Sequence, residues 1–154
     1  MSPGPLTLED RIAIDDLFAA YAWSADRGRM EPFLALFTHD ARIVDPVYGP
    51  YDGPDRAGPR RFLEIMHENH TFPGRQHWMH NRVYDGDGER CVVRSFILVP
   101  HMNPVGTASV LLAFLGHCRD TFVKLDGAWR YEERLVERWA GDVLDGFPDF
   151  GPVA

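Results

Sequence analysis

The spacing of apolar residues changes once along this chain, from a helical period before about residue 70 to strict alternation after residue 76. That switch limits the fold to helices followed by strands around a shared core, an α+β class. Ile14, Leu17, Phe18, Tyr21 and Ala22 recur at three- and four-residue steps, so they form one buried stripe. Thr7 and Asp10 mark the helix start as a capping box with Asp in place of Glu, and Asp26-Arg27-Gly28 marks its end. A second helix is predicted over 31–37, opened by Pro32 and facing the core through Phe33, Leu36 and Phe37. Ile43 and Val44 read as a brief strand, and 45–54 as a loop carrying Tyr48 and Tyr51. A third helix, from Asp55 or Pro59 to Asn69, presents Phe62, Ile65 and Met66 inward. Four strands follow, over 76–84, 90–101, 107–122 and 129–137, separated by Asp-Gly and Asn-Pro turns that suit antiparallel neighbours. The third strand is long enough to need a bulge or bend near Gly116, which would curl the sheet. The expected result is a cone-shaped curved antiparallel sheet, an alpha+beta barrel, with the N-terminal helices enclosing an apolar pocket. A two-layer sandwich fits the same pattern. One domain is expected over 1–154, with a flexible start at 1–6 and an irregular tail at 141–154.

Sixteen basic against 23 acidic residues give a net charge of -7, and Arg and Lys form no run that would track a phosphate backbone. Nucleic acid is therefore not an expected partner. No apolar stretch approaches a membrane span and the first residues lack a basic, then apolar, leader, so a cytoplasmic protein without a membrane partner is expected. Cys91 and Cys118 sit in apolar surroundings and suit buried thiols.

Seven histidines raise the question of a metal. Glu64, His67 and His70 recur every third residue, but that is not an HExxH arrangement and a solvated helix face accounts for it. His77 and His80 fall on opposite faces of a strand, so they cannot grip one ion together. No metal is expected, and with no Gly-rich nucleotide loop, Ser-centred elbow or CxxC, no cofactor either. Asp85, Asp87 and Glu89 read as a charged hairpin tip. Either His77, Met79 and Asn81 or Trp78, His80 and Arg82 face the pocket. Asp26, at the buried end of the first helix, could orient an inward histidine as a general base, or simply stabilise the turn before Gly28.

Three stretches, RIAIDDLFAAYAWSADRGRMEPFLALFTHDARI, GRQHWMHNRV and RDTFVKLDGAWRYEERLVERW, resemble the SnoaL-like superfamily, whose fold is named after nuclear transport factor 2. The resemblance is nearest to the branch of dehydratases and dehydrochlorinases that use an aspartate after the first helix and a histidine at the first long strand. It implies Asp26 and His77 as a catalytic dyad, with Tyr21 helping at a substrate oxygen. Tyr48 or Tyr51 would supply a second pocket tyrosine, and Met79 and Asn81 would share the face of His77. Ser95 stands where scytalone dehydratase-like enzymes have another histidine, which argues against scytalone itself. Trp23 and Phe62 complete the expected substrate-binding set, although with Trp139 they could instead plug the pocket. The implied activity is a cofactor-free lyase, a dehydratase of small cyclic or polycyclic hydroxylated carbonyl compounds. A double-bond isomerase or polyketide cyclase, or a non-catalytic binding or assembly subunit, are the alternatives. A homodimer or homotrimer is expected.

Overall fold

The computed structural model describes residues 3–47, 49–68, 74–102 and 108–138. Tyr48, His70, Trp139 and the tail expected at 141–154 lie outside the described residues.

Helix α1 spans Leu8–Asp26. The Asp10 amide donates to Thr7 Oγ1 (3.1 Å), and Asp10 Oδ2 accepts the Thr7 amide (3.1 Å), so the shorter acid completes the capping box. Its other oxygen accepts from Lys124 Nζ (2.7 Å) and Trp129 Nε1 (2.9 Å), tying the helix start to the last hairpin. Lys124, with Trp129 and Thr7, holds this carboxyl well below the usual carboxylate range. Ile14, Phe18, Tyr21 and Ala25 form the buried stripe. Helix α2, Met30–Leu34, is shorter than its spacing suggests, because Phe37 turns out of it to begin strand β1, Phe37–Val44. Polar His39, Asp40 and Arg42 on the exposed side of β1 disguise it as loop in the sequence. Helix α3 is Ala57–Glu68, and β2 to β5 are Trp78–Gly86, Arg90–Met102, Val110–Leu125 and Ala128–Arg138. No helix among the described residues is long and apolar enough to cross a membrane.

The strands form one five-stranded sheet in the order β1-β5-β4-β3-β2. This corrects two expectations. The sheet is mixed, since β1 runs parallel to β5 with Phe37 beside Tyr131 and Val44 beside Leu135. Nor is it a closed cone or an alpha+beta barrel: closure would require the edge strands β1 and β2 to pair, and they do not. Helix α1 packs on β2 and β5, and α3 on β1. Helices thus cover the apolar face that closure would have hidden.

Ala113 is an extra residue between the pairs Val99–Phe114 and Pro100–Leu112. The bulge therefore falls beside Pro100, which has no amide to continue the ladder, rather than at Gly116. Gly116 marks a close approach: a Cβ there would lie 2.1 Å from the Glu137 carbonyl oxygen.

Candidate active site

The last turn of α1 is fixed from outside the helix. The Ala25 carbonyl accepts from the Gly28 amide (3.1 Å) and from His67 Nε2–H (2.8 Å), so α3 docks on the residue before Asp26. Gly28 has φ +62, and a Cβ there would sit 2.9 Å from the His67 ring. Gly28→Ala is therefore expected to destabilise the fold by about 1–2 kcal/mol, from left-handed strain plus displacement of His67. Urea unfolding measures this, and an unchanged midpoint would show that the turn does not constrain α1.

Asp26 meets His77 across 51 residues of chain. Its Oδ1 lies 2.5 Å from His77 Nδ1, and its Oδ2 accepts the His77 backbone amide at 3.0 Å. The second contact explains why β2 begins at Trp78 and not at Gln76: the His77 amide bonds the helix end, leaving the ladder one residue later. Both side chains are mostly sheltered, at 10% exposed for His77 and 16% for Asp26. An ionised carboxylate only accepts, so Nδ1 carries the ring proton and Nε2 is the basic nitrogen.

Two cavities meet at His77. The first, about 250 Å³, has apolar walls that include Phe62, Met66, Ile97, Val99, Phe114 and Val136, with His77, Asp45, Arg75 and Arg138 also on its surface. The second, about 350 Å³, lies between Trp23 and Trp78 and is bordered by Asp26, Arg27, Arg75 and His77. His77 and Arg75 touch both.

Tyr21 is buried, with its ring edge-on to His77 at 6.0 Å between centroids. Burial pushes its phenol above the ordinary value, so the hydroxyl stays neutral. It borders neither cavity. Of the residues expected to bind substrate, Phe62 lines the first cavity and Trp23, 70% exposed, borders the second. Met79 is buried with Sδ 2.9 Å from Arg134 Nη2, and Ser95 is buried beside Cys118. Tyr51 bridges Ile43 at the edge of β1. Asn81 is exposed: its φ of +56 lies in a β2 bulge between His80 and Val83, which breaks the alternation that placed it with His77.

Sequence reasoning missed a buried ion pair behind Tyr21. Arg134 Nη1 donates to Asp120 Oδ2 at 3.0 Å, both side chains are wholly buried, and the guanidinium lies 4.1 Å from the Tyr21 ring. Burial raises the Asp120 carboxyl to about 7 against the pull of Arg134. The available signal was a charged residue at an inward position on each of two neighbouring strands. Among the described residues, no three His, Cys, Asp or Glu side chains converge as a metal site.

The family described as SnoaL-like domain matches residues 6–135. No curated protein matches the chain. Solved structures share the fold. A Novosphingobium aromaticivorans protein with a provisional description as a scytalone dehydratase superposes with a TM-score of 0.69 at 25% identity, over 86% of each chain. Rv3472 from Mycobacterium tuberculosis, of unknown function, gives 0.73 at 20% identity, over 86% of this chain and 77% of that one. A Streptomyces avermitilis protein of the NTF2-like family, provisionally described as a dehydratase, gives 0.70 at 13% identity, over 86% of this chain and 98% of that one.

Proposed function

The chain belongs to the SnoaL-like domain family, and from that premise we propose that it is a lyase that dehydrates small cyclic hydroxylated carbonyl compounds by Asp26–His77 general-base catalysis. The observation that carries this reading is the two-point grip of Asp26 on His77, at 2.5 Å on the ring and 3.0 Å on the backbone, beside an apolar-walled cavity. Asp26 takes Nδ1, so Nε2 is the nitrogen that acts as base, and His77 lines the first cavity. There it removes the proton alpha to the substrate carbonyl, and Asp26 balances the imidazolium that forms. The electron pair of the broken C–H bond forms the new C=C bond as the β-hydroxyl leaves. The imidazolium returns its proton to that hydroxyl, water departs, and His77 is regenerated. Tyr21, neutral and packed edge-on against the His77 ring, holds the imidazole plane from outside both cavities. Imidazole chemistry of this kind needs no redox cofactor or metal.

The provisional dehydratase descriptions of two similar structures agree with this reading. So does the open cavity, because a subunit that served only for assembly could fill its interior with side chains. Exposed Val110, Leu111, Leu112 and Leu115 on β4 favour a homo-oligomer.

The test uses β-hydroxy cyclic ketones of one and two rings, deuterated at the α-carbon. Wild-type protein is expected to release the deuterium and produce the conjugated enone with loss of water. A product of unchanged mass with a shifted double bond would instead identify an isomerase. Retention of deuterium in every compound would reject the general-base reading.

A further inference from the structure

The second cavity takes one tryptophan from each of two elements, Trp23 from α1 and Trp78 from the start of β2. Both stand open to solvent, at 70% and 51% exposed. A lone exposed ring is ordinary on a protein surface, but two lining the same concave site leave a large apolar area without cover. From this pairing, and from Asp26 at the same border, we infer that the second cavity binds a neutral planar aromatic compound that carries an N–H or O–H donor, with its ring against the tryptophans and its donor on Asp26. The site does not depend on His77 acting as a base.

Neither ring is used up inside the protein. Trp78 Nε1–H donates to Gln76 Oε1 (2.9 Å), which holds that indole by its edge. The Arg27 guanidinium lies 5.8 Å from the Trp23 ring and so covers at most one of its faces. Among the described residues, neither indole packs against another aromatic ring. Asp26 also has capacity to spare. Its Oδ1 faces the His77 ring and its Oδ2 accepts the His77 amide, one bond each. An ionised carboxylate can accept about four, so each oxygen keeps a lone pair for a ligand.

Local chemistry decides the class of ligand. Asp26 would repel an anion, and Arg27 at the same border would repel a cation. A neutral donor meets neither penalty and uses the spare acceptor. A flat ring gains stacking on indole faces that an aliphatic compound of the same size would not. The volume, about 350 Å³, suits one ring or two fused rings. The first cavity has no tryptophan among its described lining residues, so an occupant of the second is distinguishable by the tryptophans it touches.

The probes are indole and N-methylindole, which share a ring system and differ in the donor, titrated into isotope-labelled full-length protein and followed by NMR. Indole is expected to move the Trp23 and Trp78 Nε1–H signals, while that of Trp129, bonded to Asp10, stays in place. N-methylindole should bind the same site about tenfold more weakly, the loss of one hydrogen bond to a charged acceptor. Trp23→Ala and Trp78→Ala should each weaken both compounds at least about fivefold, the range of one stacked ring. Both side chains are more than half exposed, so neither replacement threatens the fold. No shift of either signal at millimolar indole, equal affinity for the two compounds, or indifference to both substitutions would each overturn the inference. Trp23 and Trp78 signals that vary with protein concentration but not with indole would assign the two rings to a second copy of the chain and overturn it as well. The two readings fail separately. Indole binding without deuterium release from any hydroxyketone would keep this site and reject the base, and deuterium release without indole binding would do the reverse.

Discussion

His77→Ala is expected to slow deuterium release from the α-carbon by about 10²- to 10⁴-fold, the range of a positioned general base. The fold should survive. The His77 backbone amide keeps its bond to Asp26, and the lost ring contact with Tyr21 lies at the edge of a larger aromatic cluster that includes Phe33, Phe37 and Tyr131. Asp26→Asn should cost a comparable factor for a different reason. An amide in that place can still accept the backbone N–H through its oxygen, but its NH₂ then faces His77 Nδ1 as a donor. Nδ1 must become the acceptor, the ring proton moves to Nε2, and the nitrogen presented to substrate is no longer a base. Binding of an unreactive ligand should change little, so kcat falls more than KM rises. His39→Ala is the control. His39 is an exposed β1 residue held between Asp40 and Asp55, and its loss should leave the rate unchanged. Exchange by His77→Ala at the wild-type rate would show that another group takes the proton.

The features legible in the sequence were those written by local chemistry. The α1 cap required only Thr7 and Asp10, and the helix end only Gly28 after an apolar stripe. Placing Asp26 against His77 required the family resemblance, because residues so far apart leave no spacing signal. Sheet topology was less accessible. Alternation reports which face a residue takes but not which strand lies beside it, so nothing in FTHDARIV announced a parallel partner in β5 or a sheet left open between β1 and β2. Asn81 was misplaced for a related reason: one left-handed residue in a bulge reverses the parity on which the reading depended. Arg75 and Arg138 line one cavity from distant parts of the chain, and in sequence each resembles an ordinary surface arginine.

Arg134→Met is expected to destabilise the protein by about 3–5 kcal/mol, the cost of breaking a buried ion pair from one side. Methionine fills much of the arginine's volume, so the loss comes mainly from Asp120, left in the interior without its guanidinium. The double variant Asp120→Leu with Arg134→Met should recover most of the loss, because it removes both charges and keeps the packing. The effect should also depend on pH, with a sign set by Asp120. Burial raises this carboxyl from 3.8 to about 7, so the folded state holds a proton that the unfolded chain has released. The contribution of this carboxyl to stability is accordingly most favourable below about 4 and declines as pH rises toward 7. Without Arg134 to favour the ionised form, that decline should steepen. Arg134→Met should therefore lose more stability at pH 8 than at pH 5, measured by urea unfolding at both, while Asp120→Asn should flatten the dependence. A loss under about 1 kcal/mol at both pH values would mean that water reaches Asp120 and that the pair is not sealed inside the sheet.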